Sequence, residues 1–200
     1  MSHYDALETR SAEARAAAQL EALNGLLDEP LGALRDLASL PVFRKSELSE
    51  RQKAKPPFGG LVVRNASHVF QSPGPIYEPG GNSQDWWRFG RFLHALGVGS
   101  DDVVQNCFGY HLTPAGTMFE SGAHAVGAMV LPAGTGQTAL QVEAAAAVGA
   151  TVYAGTPDYL KVILEKADEM GVTLEITKAA VSGGALFPSL RDYYAERGIT

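Results

Sequence analysis

Three stretches of this chain carry residue types whose spacing suits small-molecule chemistry. The first is Gln71-Ser72-Pro73-Gly74-Pro75-Ile76-Tyr77-Glu78-Pro79-Gly80-Gly81, after the apolar pair Val69-Phe70. Glycines in a strand-to-helix turn let backbone N–H groups approach a phosphate. Pro73, Pro75 and Pro79 each remove a donor and no Lys is present, so a rigid turn without a ligand explains the stretch equally well. The second is Asn106-Cys107-Phe108-Gly109-Tyr110-His111-Leu112-Thr113-Pro114-Ala115-Gly116. Aromatics at a strand end, followed by small residues opening a helix, suit the wall of a pocket for a flat organic group. Phe108 and Tyr110 also read as core aromatics, and His111 reads better as a bystander than as a catalyst. The third is Val181-Ser182-Gly183-Gly184-Ala185-Leu186, where bare backbone lets a planar base lie close to the chain. A plain tight turn accounts for it as well.

Other chemistries lack their residues. Cys107 is the single cysteine, at the end of an apolar run, and reads as a buried inert thiol rather than a nucleophile. His3, His68, His94, His111 and His124 are dispersed, with no metal-ligand spacing, so no metal-binding residue is expected. Gly134-Thr135-Gly136 begins a dinucleotide fingerprint, but Ala139 stands where its third glycine belongs. No catalytic residue is assigned.

The elements that position these stretches follow from periodicity. Ala16, Leu20, Leu23 and Leu27 form one helical stripe that Ser11 can cap, and Glu29-Pro30 closes it. Short helices are expected over Leu31–Leu37 and Ser46–Lys55, and Lys55-Pro56-Pro57 with Gly59-Gly60 marks a connection. Residues 1–60 thus read as a helical N-terminal lobe. Beyond it, Trp86, Phe89, Leu93 and Leu96 form a helical stripe ending at Gly97. Strands are expected at Val69-Phe70, Val103–Phe108, Met129–Leu131, Thr151–Ala154 and Ala179–Val181. Between them lie an Ala-rich helix ending near Gly149, a helix with Thr156 as N-cap and Pro157 at N1, and a last helix over Leu186–Arg197. Leu160, Ile163, Leu164, Ala167 and Met170 make the buried stripe of the middle one, which Gly171 stops. This alternation predicts an α/β fold, a mostly parallel sheet over residues 61–200 with helices on both faces. Ligands in such sheets sit outside the carboxyl ends of strands, here the loops after residues 70, 108, 131, 154 and 181. The last residues, Gly198-Ile199-Thr200, stand where a helix has ended and another strand is expected, the pattern of a truncated chain.

Composition narrows the function classes. Of 200 residues, 46% are hydrophobic and 19% charged, which suffices for a globular core. Sixteen Lys+Arg against 22 Asp+Glu leave a net charge of −6, the wrong sign for a general nucleic-acid binder. No apolar run approaches the roughly 20 residues that cross a bilayer, and the first residues lack a secretory pattern. A cytoplasmic protein without membrane or nucleic-acid partners is expected.

Taken together and in order, the chain resembles the N-terminal portion of the phenylacetate–CoA ligase family, a branch of the acyl-adenylate-forming (AMP-dependent synthetase/ligase) enzymes. The resemblance rests on Tyr4–Arg10, Leu40–Lys45, Pro57–Leu61, Asp101–Asn106, Gly134–Gln141, Ala154–Pro157 and Ser182–Gly184. It implies an AMP-forming acid–thiol ligase: a carboxylate, such as the aryl acid phenylacetate, attacks the α-phosphate of ATP to give an acyl-adenylate and pyrophosphate. The thiol of coenzyme A then displaces AMP and gives a thioester. ATP, Mg²⁺, coenzyme A and a small carboxylic acid are the implied cofactors and partners, and a homodimer is an implied assembly. By resemblance, Ser72 and Gly74 sit in the phosphate loop, Ser182, Gly183 and Gly184 form the adenine-side segment, and Phe108, Tyr110 and Thr113 wall the acid pocket.

The departures from the family pattern matter too. Pro75 and Ile76 stand where two threonines are usual, Glu78 where a lysine is usual, and Ala185 where an acidic residue is usual. A carboxylate at Glu78 repels a triphosphate. The family's later motifs lie beyond residue 200: the Tyr/Thr/Glu segment near Mg²⁺, the ribose-binding Asp, and the small C-terminal domain with its catalytic Lys. The 200 residues alone are therefore expected to be inactive. A non-catalytic acyl- or nucleotide-binding relative is the alternative.

Overall fold

The computed structural model describes residues 3–61, 63 and 65–200. Helix α1 (Ala12–Asn24) starts at Ser11, whose Oγ accepts from the Ala14 N–H at 3.1 Å. Ala16, Leu20, Leu23 and Leu27 are half-buried as their spacing predicts, amid mostly exposed neighbours. The expected helix over Leu31–Leu37 is instead a 3-10 turn over Leu34–Ser39. Asn24 ties down the Leu31 backbone through bonds of 2.8 and 3.0 Å, and Ala33 is extended with its N–H bonded to Asp36 at 2.9 Å, so the turn starts only there. Helix α2 (Lys45–Ala54) buries Gln52, whose amide bonds both the N–H and the C=O of Tyr77 at 2.9 and 2.7 Å. That paired contact docks the helical segment onto the next element.

The next element corrects the sequence reading. Ser72–Gly81 is not a turn from strand to helix. Strands β1 (Ala66–Ser72) and β2 (Ile76–Gly81) pair antiparallel in a sheet of their own, with Ser72 opposite Ile76 across Pro73-Gly74-Pro75. Aromatic packing decides this. A side chain at Gly80 would strike Phe70 and Trp87, and one at Gly81 would strike Trp86, so the glycines are seats for rings. Trp86 therefore leaves the stripe assigned to it: helix α3 (Gly90–Ala95) begins later, after Arg88 turns left-handed at φ +62°. The Asp85 carboxylate accepts from the Gly90 N–H at 3.0 Å and sets that start.

The main sheet is parallel, in the order β4-β3-β5-β6, from β3 (Val103–Asn106), β4 (Met129–Leu131), β5 (Val152–Gly155) and β6 (Lys178–Val181). The expected strands match within two residues at each end. Helices α4 (Ala115–Ala125), α5 (Thr138–Val148), α6 (Pro157–Met170) and α7 (Pro188–Glu196) connect or follow them. Alternation along β5 shows both faces covered: Val152 and Ala154 join Leu93, Phe119 and Ala123, while Tyr153 joins Val142, Leu160 and Ile163. Pro157 and Gly171 take the expected ends of α6, but the Thr156 hydroxyl makes no capping bond. At the far edge, the Thr200 N–H donates to Thr177 O at 3.0 Å and Thr200 O accepts from the Ala179 N–H at 2.8 Å.

At the amino end of the sheet, Asp102 accepts from Lys178 Nζ at 2.8 Å and from Thr151 Oγ1 at 2.8 Å. Burial raises the Asp102 carboxyl, but bonds from Lys178, Thr151 and the Gly99 N–H outweigh it and hold the group below its ordinary range. A carboxyl depressed on folding stabilises above its unfolded pKa, and the gain is lost as pH falls through the folded value. Asp102→Asn is expected to cost about 2 kcal/mol at neutral pH. In urea titrations that gap to the native chain should close as the pH drops below the ordinary aspartate range. Ile163→Ala, emptying a fully buried site, is expected to cost about 3 kcal/mol by the same measurement. Leu140→Ala on the exposed face of α5 should stay within about 0.5 kcal/mol of the native chain.

Candidate functional site

In a parallel sheet, loops lead away in opposite directions where the strand order reverses, and a crevice opens there. Here the chain leaves β3 for β4 on one side and returns to β5 on the other, so the reversal lies between β3 and β5. The turn after β6 reaches that place. Ser182 N–H donates to Gly155 O at 3.1 Å. A side chain added at Gly183 would lie 3.7 Å from Thr156 Cγ2 and 3.8 Å from Phe108 Cε1. Gly183 has φ +71°, and Ser182, Gly183 and Gly184 are exposed, so bare backbone faces outward at the carboxyl ends of the strands.

The loop after β3 is organised from within. Asn106 is fully buried; its Nδ2 donates to Tyr110 Oη and to Gly116 O, both at 2.8 Å, and its Oδ1 accepts from the Phe108 N–H at 3.2 Å. Tyr110 is half-buried with its ring against Gly116, where an added side chain would lie 2.7 Å away. Burial first, and the Glu120 carboxylate second, raise the Tyr110 phenol, so it stays neutral and donates rather than ionises. Thr113 is half-buried, its hydroxyl donating to Gly109 O at 3.3 Å. Phe108 stacks on Phe119 at 4.3 Å and belongs to the core, presenting a ring edge toward Gly183. His111 is exposed.

The loop after β4 closes on the same group. Gly134 N–H donates to Asn106 O at 2.9 Å, and Thr135 Cγ2 would lie 3.9 Å from a side chain at Gly109. Buried Gln141 holds this loop, its Nε2 donating to the carbonyls of Gly134 and Gly136 at 3.1 and 2.7 Å. The sequence reading missed Asn106 and Gln141 as organisers. A polar residue inside the apolar run Val103–Phe108 was the available signal, because a buried amide must find partners.

Ser72 and Gly74 stand apart from this group, on the hairpin, which is tied to it by the Gln71 N–H donating to Leu112 O at 2.9 Å. On the hairpin the polar side chains are engaged with one another. The Ser72 hydroxyl already donates to Glu78 Oε1 at 2.9 Å, and Lys45 Nζ meets the same carboxylate at 3.0 Å. Burial raises the Glu78 carboxyl, but the bonds from Lys45 and Ser72 together bring it below its ordinary value, so it remains charged. Beside the hairpin a cavity of about 510 Å³ is walled by Pro56, Pro57, Val69, Pro75 and Tyr77. No group of three or more His, Cys, Asp or Glu able to hold a metal occurs among the described residues. No helix among them is long and apolar enough to cross a membrane.

No protein-family model matches the chain. It is 30% identical over 165 residues, 75% of its length, to the phenylacetate-coenzyme A ligase of Thermus thermophilus, of which it spans 36%. To the phenylacetate-coenzyme A ligase of Aromatoleum evansii it is 27% identical over 157 residues, 74% of its length and 35% of that enzyme. Among solved structures, 2-hydroxyisobutyryl-CoA ligase, in complex with 2-HIB-AMP and CoA, superposes over 95% of this chain and 48% of its own. The TM-score is 0.81 at 23% identity, a likeness of fold. The chain thus spans about a third of the curated relatives it matches.

Cys107 is buried, with a free thiol. Its Sγ lies 3.2 Å from Gln141 Oε1, and desolvation pushes the thiol up to about 12. Iodoacetamide at pH 8 should leave the folded chain unmodified and label it once urea unfolds it, read by intact mass.

Proposed function

Since the chain is related in sequence to phenylacetate–CoA ligases and has the fold of adenylate-forming CoA ligases, we infer that it is the N-terminal part of an AMP-forming acid–CoA ligase. In this reading residues 1–60 are a helical lobe and residues 61–200 an α/β portion of the adenylation domain. The longer cytoplasmic protein joins a small carboxylic acid to coenzyme A through an acyl-adenylate, using ATP and Mg²⁺. The acid is an aryl acid such as phenylacetate.

The observation that carries the reading is the exposed glycine turn beside Phe108 and Thr156 at the reversal between β3 and β5. In the proposed roles, Ser182, Gly183 and Gly184 offer bare backbone to the flat adenine of ATP, which requires no side-chain charge. Tyr110 and Thr113, with the Phe108 edge, line the approach of the acid. When bound, ATP supplies the phosphorus that activates the carboxylate. This chain's own contribution is to seat the base and the acid, not to hold the reacting phosphates. Residues 1–200 alone are proposed to complete neither half-reaction.

One observation favours a second reading, a binder that does not adenylate. The Ser72 hydroxyl and the Glu78 charge are satisfied by each other and by Lys45, leaving the hairpin without a free grip on pyrophosphate.

Pyrophosphate release by the longer protein with ATP, Mg²⁺ and a panel of aryl and short acyl acids separates the two. The ligase reading expects acid-dependent release. It further expects Gly183→Val, which forces a β-branched residue to φ +71°, to cut turnover roughly a hundredfold by displacing the base. Binding of an acid or nucleotide without release for any acid would establish the second reading instead.

A further inference from the structure

A cavity of about 630 Å³ lies between the Tyr4–Arg10 segment, α1 and the loop that leads into α3. It is remote from the candidate site. Helix α4 begins at Ala115 beside the carboxyl ends of the strands, and its last residue, Ala125, lines this cavity, about 15 Å of helix away.

The walls of the cavity are pinned by bonds internal to them. Asp5 accepts from the Leu7 N–H at 2.8 Å and from Arg91 Nη2 at 2.6 Å. Tyr4 donates to Asp85 at 3.4 Å over Gly90, where an added side chain would lie 2.6 Å from the tyrosine oxygen. Both lining carboxylates are thereby engaged: Asp5 with one guanidinium, Asp85 with a hydroxyl and the Gly90 N–H.

Three guanidiniums line the space, those of Arg10, Arg88 and Arg91. Arg91 is ion-paired with both Asp5 and Glu8, although its buried Nε, 3.6 Å from Glu8, makes no hydrogen bond. The Arg10 Nε is also buried without a hydrogen-bond partner. Among the described residues neither Arg10 nor Arg88 has an ion pair. A buried guanidinium nitrogen without an acceptor is costly unless something supplies one. Three guanidiniums against the carboxylates of Asp5 and Asp85 leave the lining with one positive charge in excess, in a chain of net charge −6.

We propose that this cavity binds a small organic phosphate, held by the guanidiniums of Arg10 and Arg88 with Arg91 beside them. Two unpaired planar forks match a phosphate dianion better than a monocarboxylate, because each offers paired N–H donors to separate phosphate oxygens. The Gln19 and Gln84 amides provide neutral donors, and Leu7 with Ala22 gives the organic part an apolar floor. The Asp85 carboxylate also lines the space and keeps the anion to the arginine side. The inference does not rest on the ligase reading, since it uses neither ATP nor the strand ends.

The test is a ¹H–¹⁵N NMR titration of the 200-residue chain with phenyl phosphate, with benzoate as the monoanion control. Saturable shifts at the Gln19 and Gln84 side-chain amides and the Gly90 N–H are expected with phenyl phosphate, and weaker ones with benzoate. Arg10→Gln with Arg88→Gln should weaken binding at least about tenfold. Arg88 is exposed, so Arg88→Gln alone, in a folded chain, should still weaken it several-fold. Shifts that rise linearly without saturating, equal binding of benzoate, or an affinity that Arg88→Gln leaves unchanged would each overturn the proposal.

Discussion

Asn106 ends β3 with a side chain that no water reaches, and the loops around the candidate site hang from it. Its amide supplies donors to Tyr110 and Gly116 and an acceptor to the Phe108 N–H, while its backbone oxygen takes the Gly134 N–H. One residue thus fixes the loop after β3 at two points, the first turn of α4 at a third and the loop after β4 at a fourth. A buried amide left half-satisfied costs more than an apolar side chain would, so these loops share one arrangement rather than several. The hairpin joins through Leu112, within that same loop.

The two faces of the sheet divide the labour. One face packs Leu93, Phe119 and Ala123 beneath Val104, Val152 and Ala154. The other packs the stripe of α6 and the ring of Tyr153, whose hydroxyl donates to Thr156 O at 2.9 Å. A side chain at Gly155 would strike that ring, so the glycine is required where β5 hands over to α6. Packing on both faces fixes where the strands end, and the exposed backbone of Ser182–Gly184 is held at those ends.

The hairpin shows how charge is handled away from the sheet. Glu78, which by sequence looked like a repulsive intruder in a phosphate loop, is balanced by Lys45 from α2 and by the Ser72 hydroxyl. The helical segment therefore does more than pack. Through Gln52 it holds the backbone of β2, and through Lys45 it sets the charge of the loop. Two half-exposed partners add little stability, but they occupy the groups a ligand would need.

Much of the architecture was legible from the chain alone. Met129–Leu131 as a strand, Pro157 opening a helix and Gly171 closing it follow from local rules that packing did not override. The capping of α1 by Ser11 and the parallel sheet with helices on both faces are of the same kind. What the sequence could not decide depended on partners far along the chain. Trp86 matched a helical spacing yet lies on Gly81, because a ring needs a flat seat and only the hairpin supplies one. Ser72–Gly81 read as a loop because its prolines and glycines hide a strand whose pairing is set by β1. Local periodicity determines elements through nearest-neighbour physics, but which amide meets Asn106, and which cation meets Glu78, is settled only when distant segments are brought within 3 Å or so of one another.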